Sequence, residues 1–296
     1  MRRDTQRDLG GTVLGDCPAI SPASVRVGRD GALALRFERR GAATVVTRCR
    51  YTLPLQVLAP VALGDPAAVV SVLNPTGGLV GGDRLAIEVD AGPAAHAVLT
   101  TPSASRVYRA EGEPTVQTVS LRLGPRAIVE WVPDHTIPFA GSALRQAIGV
   151  EMDDGAALVL VDAFAAGRIA RGEAWRFALL ESAVTIRDRR GWLLHDRFAL
   201  GPASAVEGLG LAEGHPYFAT VAVIADAGLE RFAAAARRAL GGMHGVTGGI
   251  AALPRRGALV RCLAATAPAL TTLLDALRAA ARREVLGLPP LPLRKA

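Results

Sequence analysis

The stretch RLAIEVDAGPAAHAVLTT, Arg84 to Thr101, decides the fold. Its first half alternates apolar and polar residues, the period-two pattern of a strand with one buried face. A Gly-Pro turn follows, then a more apolar strand that ends on two threonines. Three later stretches share this plan: TVSLRLGPRAIVEWVPDH (Thr118–His135), AIGVEMDDGAALVLVDAF (Ala147–Phe164) and AVTIRDRRGWLLHDRF (Ala183–Phe198). Their turns, at Pro93, Pro125, Gly155 and Gly191, recur at intervals of roughly 30 residues, in the range of stacked repeats. One such unit cannot bury its own apolar face, so neighbours must stack. The expected fold is mainly β, with layered or helically wound, β-solenoid-like sheets. Antiparallel meanders share much of the pattern, so the winding rests on the repeat.

Outward from this core, LALRFERR and TVVTRCRYTL read as strands before it, and WRFALLESAVTIRD and WLLHDRFAL as strands at its end. Two α-helices stand apart in the C-terminal half, over Gly228–Gly242 and Ala267–Gly287. The second carries Leu270, Leu273, Leu274, Leu277 and Ala281 on one face, a stripe suited to core packing. It stops at Gly287 before LPPLP. The expected organisation is a flexible extension over residues 1–25, one domain over 26–288 and a tail over 289–296.

Composition narrows the function. Half of the 296 residues are apolar but only 4% are aromatic, so Ala, Val and Leu fill the core. The net charge is +7, and Lys295 is the only lysine. The arginines are scattered, without the basic block or interleaved aromatics of a nucleic-acid surface. A solvated surface or acidic protein partners suit this charge better. The chain has no apolar run long enough for a membrane span, and MRRDTQRDLGG lacks the apolar core of a signal peptide. The expected location is the cytoplasm. Cys17, Cys49 and Cys262 form no CxxC pair and read as reduced, packed thiols.

LNPTGGLVGGDRL, Leu73 to Leu85, is the sharpest local motif. A Walker-type phosphate loop ends in Lys followed by Ser or Thr; here Asp83 stands in that place and would repel phosphate. A dinucleotide fingerprint opens a helix, whereas DRLAIEVDA alternates as a strand. Backbone geometry remains as the reason for the motif. Gly77, Gly78, Gly81 and Gly82 permit positive φ or close approach, Pro75 sets the entry, and Asp83 can accept from nearby amides.

If the repeats stack, so do the ends of their second strands: Thr100-Thr101, Pro133-Asp134-His135, Asp162 and His195-Asp196. That arrangement is either a row of solvated strand ends or a polar path able to guide a cation. His96, His135, His195, His215 and His244 are isolated along the chain, and neither HxH nor HExxH occurs. No nucleophile elbow appears.

NPTGGLVGGDRL resembles the signature of the urease accessory protein UreD (UreH) family. Further likenesses follow in order. VLTTPSASRVYRA is similar to the family's LLTTP segment with its Tyr-Arg, through Leu99, Thr100, Thr101, Pro102, Ala104, Tyr108 and Arg109. AIVEWVPDHTIPFAGS matches its Glu-Trp-Leu-Pro stretch through Glu130, Trp131, Pro133, Ile137 and Phe139. GRIARGEAW carries its Gly-Arg and Gly-Glu pairs at Gly167, Arg168, Gly172 and Glu173, and DRFAL resembles a further step. Where the family has Gln-Glu, this chain has Asp134-His135. The likeness runs from about Arg36 to Leu288.

The resemblance implies a non-enzymatic scaffold that binds apo-urease with UreF-like and UreG-like partners in a hetero-oligomer and assists nickel delivery. It implies no tightly bound cofactor, with nickel only in transit, and a mostly β fold with two helices. Asn74, Pro75, Gly77, Gly78, Gly81, Gly82 and Asp83 form the structural loop. Candidates for partner contact or for the path are Thr100, Thr101, Tyr108, Arg109, Asp134, His135, Asp162, Arg168, Glu173 and Asp196. For Arg168 and Glu173 an ion pair at a strand connection is the plainer reading. Two other functions compete. One is a β-solenoid hydrolase using Asp134, Asp162 and Asp196; the other is a structural adaptor without metal.

Overall fold

The computed structural model describes residues 29–58, 65–204, 206, 208 and 210–293. The expected N-terminal extension, Cys17 and the last residues of the expected tail lie outside them. The described residues open with a hairpin of β1 (Asp30–Arg40) and β2 (Ala43–Tyr51), then cross to a second layer with β3 (Gln56–Val57) and β4 (Ala68–Leu73). Three coils follow. The first holds β5 (Arg84–Ala91), β6 (His96–Thr100) and β7 (Ser105–Val107). The second holds β8 (Thr115–Leu123), β9 (Ile128–Trp131) and β10 (Thr136–Pro138). The third holds β11 (Ala143–Met152), β12 (Ala157–Ala165) and a 3-10 turn, Ile169–Arg171.

Like strands of successive coils stack in parallel and in register. Ile87 of β5 lies beside Val119 of β8, which lies beside Ile148 of β11. The second strands stack likewise, His96 of β6 beside Ile128 of β9 beside Ala157 of β12. The turns between layers repeat too. Ala95 N–H bonds Gly92 O at 3.0 Å, Ala127 N–H bonds Gly124 O at 3.0 Å, and Ala156 N–H bonds Asp153 O at 3.2 Å. Pro93 and Pro125 preset the second position of their turns, and the third takes positive φ at Ala94, Arg126 and Gly155. The wound β fold read from the repeat is therefore what the chain adopts.

The fourth unit departs from that plan. β13 (Leu179–Asp188) continues the first layer, but β14 (Gly191–Leu200) folds back beside it as an antiparallel hairpin and never enters the second layer. Three antiparallel strands extend the second layer instead: β15 (Tyr217–Ile224), β16 (Val246–Ala252) and β17 (Gly257–Ala264). The result is a seven-stranded sheet, β14-β13-β11-β8-β5-β1-β2, facing a ten-stranded one. The main path of the latter runs β16-β17-β15-β12-β9-β6-β4-β3, with β7 and β10 at its side.

Helices α1 (Leu229–Gly242) and α2 (Ala267–Ala281) cover the outer face of the ten-stranded sheet, and α2 runs on into a π-helical turn, Arg282–Leu286. Thr266 caps α2 by accepting from the Ala269 amide at 3.2 Å. Leu270, Leu273, Leu277 and Ala281 of the expected stripe are buried and Leu274 is half-buried. Two apolar cores result, one between the sheets and one between sheet and helices. β12 touches both, so all nine of its residues are buried and its sequence, ALVLVDAFA, is almost continuously apolar. Residues 289–293 return along the helices, with Leu291 buried and its carbonyl accepting from Arg278. No helix among the described residues is long and apolar enough to cross a membrane.

Candidate functional site

Gln117 of β8, Gln146 of β11 and Ser182 of β13 share one inward-facing row. The register places Gln117 beside Gln146 and Gln146 beside Ser182. From the opposite sheet Asp162, the one charge in β12, meets that row. Gln146 Nε2 donates to its Oδ1 at 2.8 Å, Ser182 Oγ donates to its Oδ2 at 2.8 Å, and Gln117 Nε2 donates to Gln146 Oε1 at 3.2 Å. A polar chain thus crosses the core between the two sheets. Burial pushes the Asp162 carboxyl up to about 6; the Ser182 and Gln146 hydrogen bonds pull the other way, and the charge of Asp196 adds to the rise.

A small cavity of about 70 Å³ opens from this chain. Its polar lining includes Asp162, Gln146, Gln117, Thr101, Asp134 and Asn74, set among apolar residues such as Trp131 and Ile148. Around it the ends of β6 and β9 interlock. Thr100 Oγ1 donates to Val132 O at 3.0 Å, and Thr101 Oγ1 accepts from the Asp134 amide at 2.8 Å. Asp134 Oδ1 accepts from the His135 amide at 2.8 Å and lies 2.9 Å from His135 Nδ1. The His135 ring meets Tyr217 edge-on at 5.9 Å.

Of the expected ladder, then, Thr100, Thr101, Asp134, His135 and Asp162 gather at one place. His195 and Asp196 do not stack beneath them, because β14 lies in the other sheet. Asp196 opposes Val184 of β13 and is bound by Arg261 of β17. It lines a different, larger pocket of about 470 Å³, among Trp175, Phe198, Phe218 and Leu211. The three carboxylates assigned to hydrolysis are divided between these two cavities. Among the described residues, no three His, Cys, Asp or Glu side chains converge to hold a metal ion.

The signature loop forms the neighbouring corner. Asn74 closes it by donating to Gly78 O at 2.9 Å and accepting from the Thr76 amide at 3.0 Å. Asp83 Oδ2 accepts from the Val80 amide at 2.8 Å. Gly82 has φ +81°, and a Cβ on Gly78 would lie 2.5 Å from the Tyr108 ring and 2.8 Å from Arg106 O. The glycines serve a sharp corner and a close crossing. Pro75 lies in the exposed turn, and Gly77 O accepts from Tyr108 Oη at 3.3 Å. A Cβ on Gly81 would meet Ala110 at 2.8 Å.

Corners stack as strands do. Leu79 bridges Val107, and the Tyr108 ring packs edge-on against Phe139 at 5.2 Å. Arg168 lies 4.3 Å over Phe139 and donates from Nε to Glu173 Oε2 at 2.8 Å. That ion pair matches the plainer reading of Arg168 and Glu173; the Arg168 hydrogen bonds hold the Glu173 carboxyl below its ordinary value. Arg109 bridges Ser142 across the next corner.

One cluster was not singled out by sequence reasoning. Glu130 of β9, fully buried, binds Arg282 and lies 2.9 Å from His96 Nε2 and 3.7 Å from Arg278 Nε. Arg282, also fully buried, binds Asp65 as well. The signal was a glutamate inside an apolar strand, AIVEWV, with arginines in a buried helix.

The motifs that seemed separate along the chain thus build two adjoining features, a stacked corner and a polar cavity. The sequence profile of the family described as UreD urease accessory protein matches residues 29–296. A urease accessory protein UreD from Alkalilimnicola ehrlichii is 36% identical over 283 residues, covering 94% of both chains. One from Deinococcus radiodurans is 35% identical over 272 residues, 90% of this chain and 95% of its own. One from Actinomyces naeslundii is 31% identical over 267 residues, 90% and 98% respectively. The chain belongs to the UreD urease accessory protein family.

Proposed function

We propose that this chain acts in urease maturation as a non-enzymatic cytoplasmic scaffold. It binds apo-urease in a hetero-oligomer with UreF-like and UreG-like proteins and hands nickel toward the urease active site. The single observation that carries the nickel step is the polar row Gln117–Gln146–Ser182 meeting Asp162 beside a cavity that reaches Asp134 and Thr101. Carboxylate, amide and hydroxyl oxygens suit a divalent cation, and His135 beside Asp134 adds an imidazole. Burial raises the Asp162 carboxyl to about 6, so at neutral pH it is mostly ionised and offers a buried negative charge to a passing cation. Nickel here is cargo, taken up and released by oxygen ligands one after another.

The test is reconstituted urease activation with Asp134, His135 and Asp162 all replaced by Ala. The variant is expected to co-elute with apo-urease and the UreF-like protein while urease nickel content falls to the level seen without this chain. Undiminished nickel loading by an assembled variant would reject the conduit and leave a structural adaptor. Failure to co-elute by the unaltered chain would reject the scaffold.

A further inference from the structure

Among the described residues β16 ends the ten-stranded sheet, and it lacks the charge, proline or bulge that often protects a sheet edge. Its seven residues, VTGGIAA, carry no charge and no proline, and five of them are exposed. Helix α1 packs against it, with Val246 and Ile250 turned to the helix-side core. On the other face Thr247 and Gly248 border the 470 Å³ pocket of Trp175, Phe198 and Phe218.

The hydrogen bonds to β17 fix which backbone groups look outward. Ala265 N–H bonds Gly245 O and Leu253 N–H bonds Gly257 O, each at 2.8 Å. In an antiparallel ladder the bonded positions alternate, so Val246, Gly248, Ile250 and Ala252 aim their N–H and C=O groups away from β17.

Charge selects the occupant. Residues 229–264 hold six arginines and one glutamate. Arg231, Arg255, Arg256 and Arg261 pair with Glu284, Asp188, Asp226 and Asp196, so the surplus positive charge falls on Arg237 and Arg238. Arg237 and Arg238 are exposed on the half of α1 nearest β16, and Arg261 of β17 is 63% exposed beside Asp196. Glu213 is the other carboxylate at the pocket. A second copy of this edge would bring arginine against arginine. We propose that β16 receives an extended strand of a different protein, apolar in its middle and flanked by carboxylates, which adds to the sheet edge. This stands independently of the nickel path.

The test uses the full chain and two fluorescein-tagged peptides the length of β16, EVTVTVE and KVTVTVK. EVTVTVE is expected to bind at least about tenfold tighter, with the gap closing at high salt. It should also slow hydrogen exchange at the Gly248 and Ile250 amides. A Cβ at Gly249 meets no atom within 4 Å, so side chains placed there leave the fold intact. Gly249→Glu should weaken EVTVTVE about tenfold and Gly249→Lys should not, both at an unchanged thermal midpoint. Equal binding of the two peptides, protection elsewhere, or a dimer paired through β16 would overturn the proposal.

Discussion

Glu130 and Arg282, 152 positions apart, meet as a fully buried ion pair that ties the middle of the wound sheet to the turn after the last helix. His96, Arg278 and Asp65 complete the group. Burial pushes the Arg278 guanidinium below its ordinary value, and the charge of Glu130 works against that fall. Removing one member leaves an uncompensated charge inside the protein, which costs about 3–5 kcal/mol. Glu130→Ala should therefore lower the denaturation midpoint far more than Glu151→Ala, whose side chain is half exposed. Equal shifts in chemical denaturation would refute the claim.

Gly78→Ala should destabilise by about 1–3 kcal/mol, since its Cβ would press on both the Tyr108 ring and the Arg106 carbonyl. Tyr108→Ala in the same chain should restore only part of the loss, because the carbonyl belongs to the backbone and cannot swing away. Gly249→Ala, in open space, serves as the control. Thermal melts of the four proteins decide the matter.

Asp162 gives a pH dependence of definite sign. Its pKa rises from 3.8 to about 6 on folding, so the folded state keeps a proton that the unfolded chain has released. Its contribution to stability is full below pH 4 and is lost as pH rises through 6. Asp162→Asn should thus gain on the parent chain between pH 4 and 7, by on the order of 2–3 kcal/mol. Thermal midpoints of the pair across that range measure it; a constant difference would contradict the raised pKa.

Asp188 should behave in the opposite way. Arg255 grips it with two hydrogen bonds, 2.8 and 3.0 Å, joining the end of β13 to the turn after β16. Those bonds hold its carboxyl below the ordinary value. The stabilisation is present above about pH 4 and is lost as pH falls through the lowered pKa. Asp188→Asn should be less stable than the parent at pH 7, with the gap narrowing on acidification. A gap that does not narrow on acidification would mean that packing, not charge, holds this corner.

Much of this architecture was legible because it repeats. The alternation in RLAIEVDA, the turns at Pro93 and Pro125 and the lone charge in ALVLVDAFA each report a local demand that recurs coil after coil. Asp83 and the glycines of the signature loop were legible for a similar reason, since their chemistry acts within a few residues. The fold-back of β14 was not, because a polar Gly191 turn suits a layer change and a hairpin equally well. His195 and Asp196 were misplaced with it. Glu130 and Arg282 escaped because no local pattern joins residues so distant; only the closed sheet brings them together.

The in-register stacking of β5, β8, β11 and β13 also sets how such a body can grow. Inserting one residue within a strand would swap its inward and outward faces and expel a side chain such as Gln146 to solvent. Adding or removing a whole winding of roughly 30 residues would preserve every neighbour contact and change only the height of the stack. Chains of this architecture should accordingly differ in length by complete windings, and each added winding would heighten the stack by one strand spacing, ~4.8 Å.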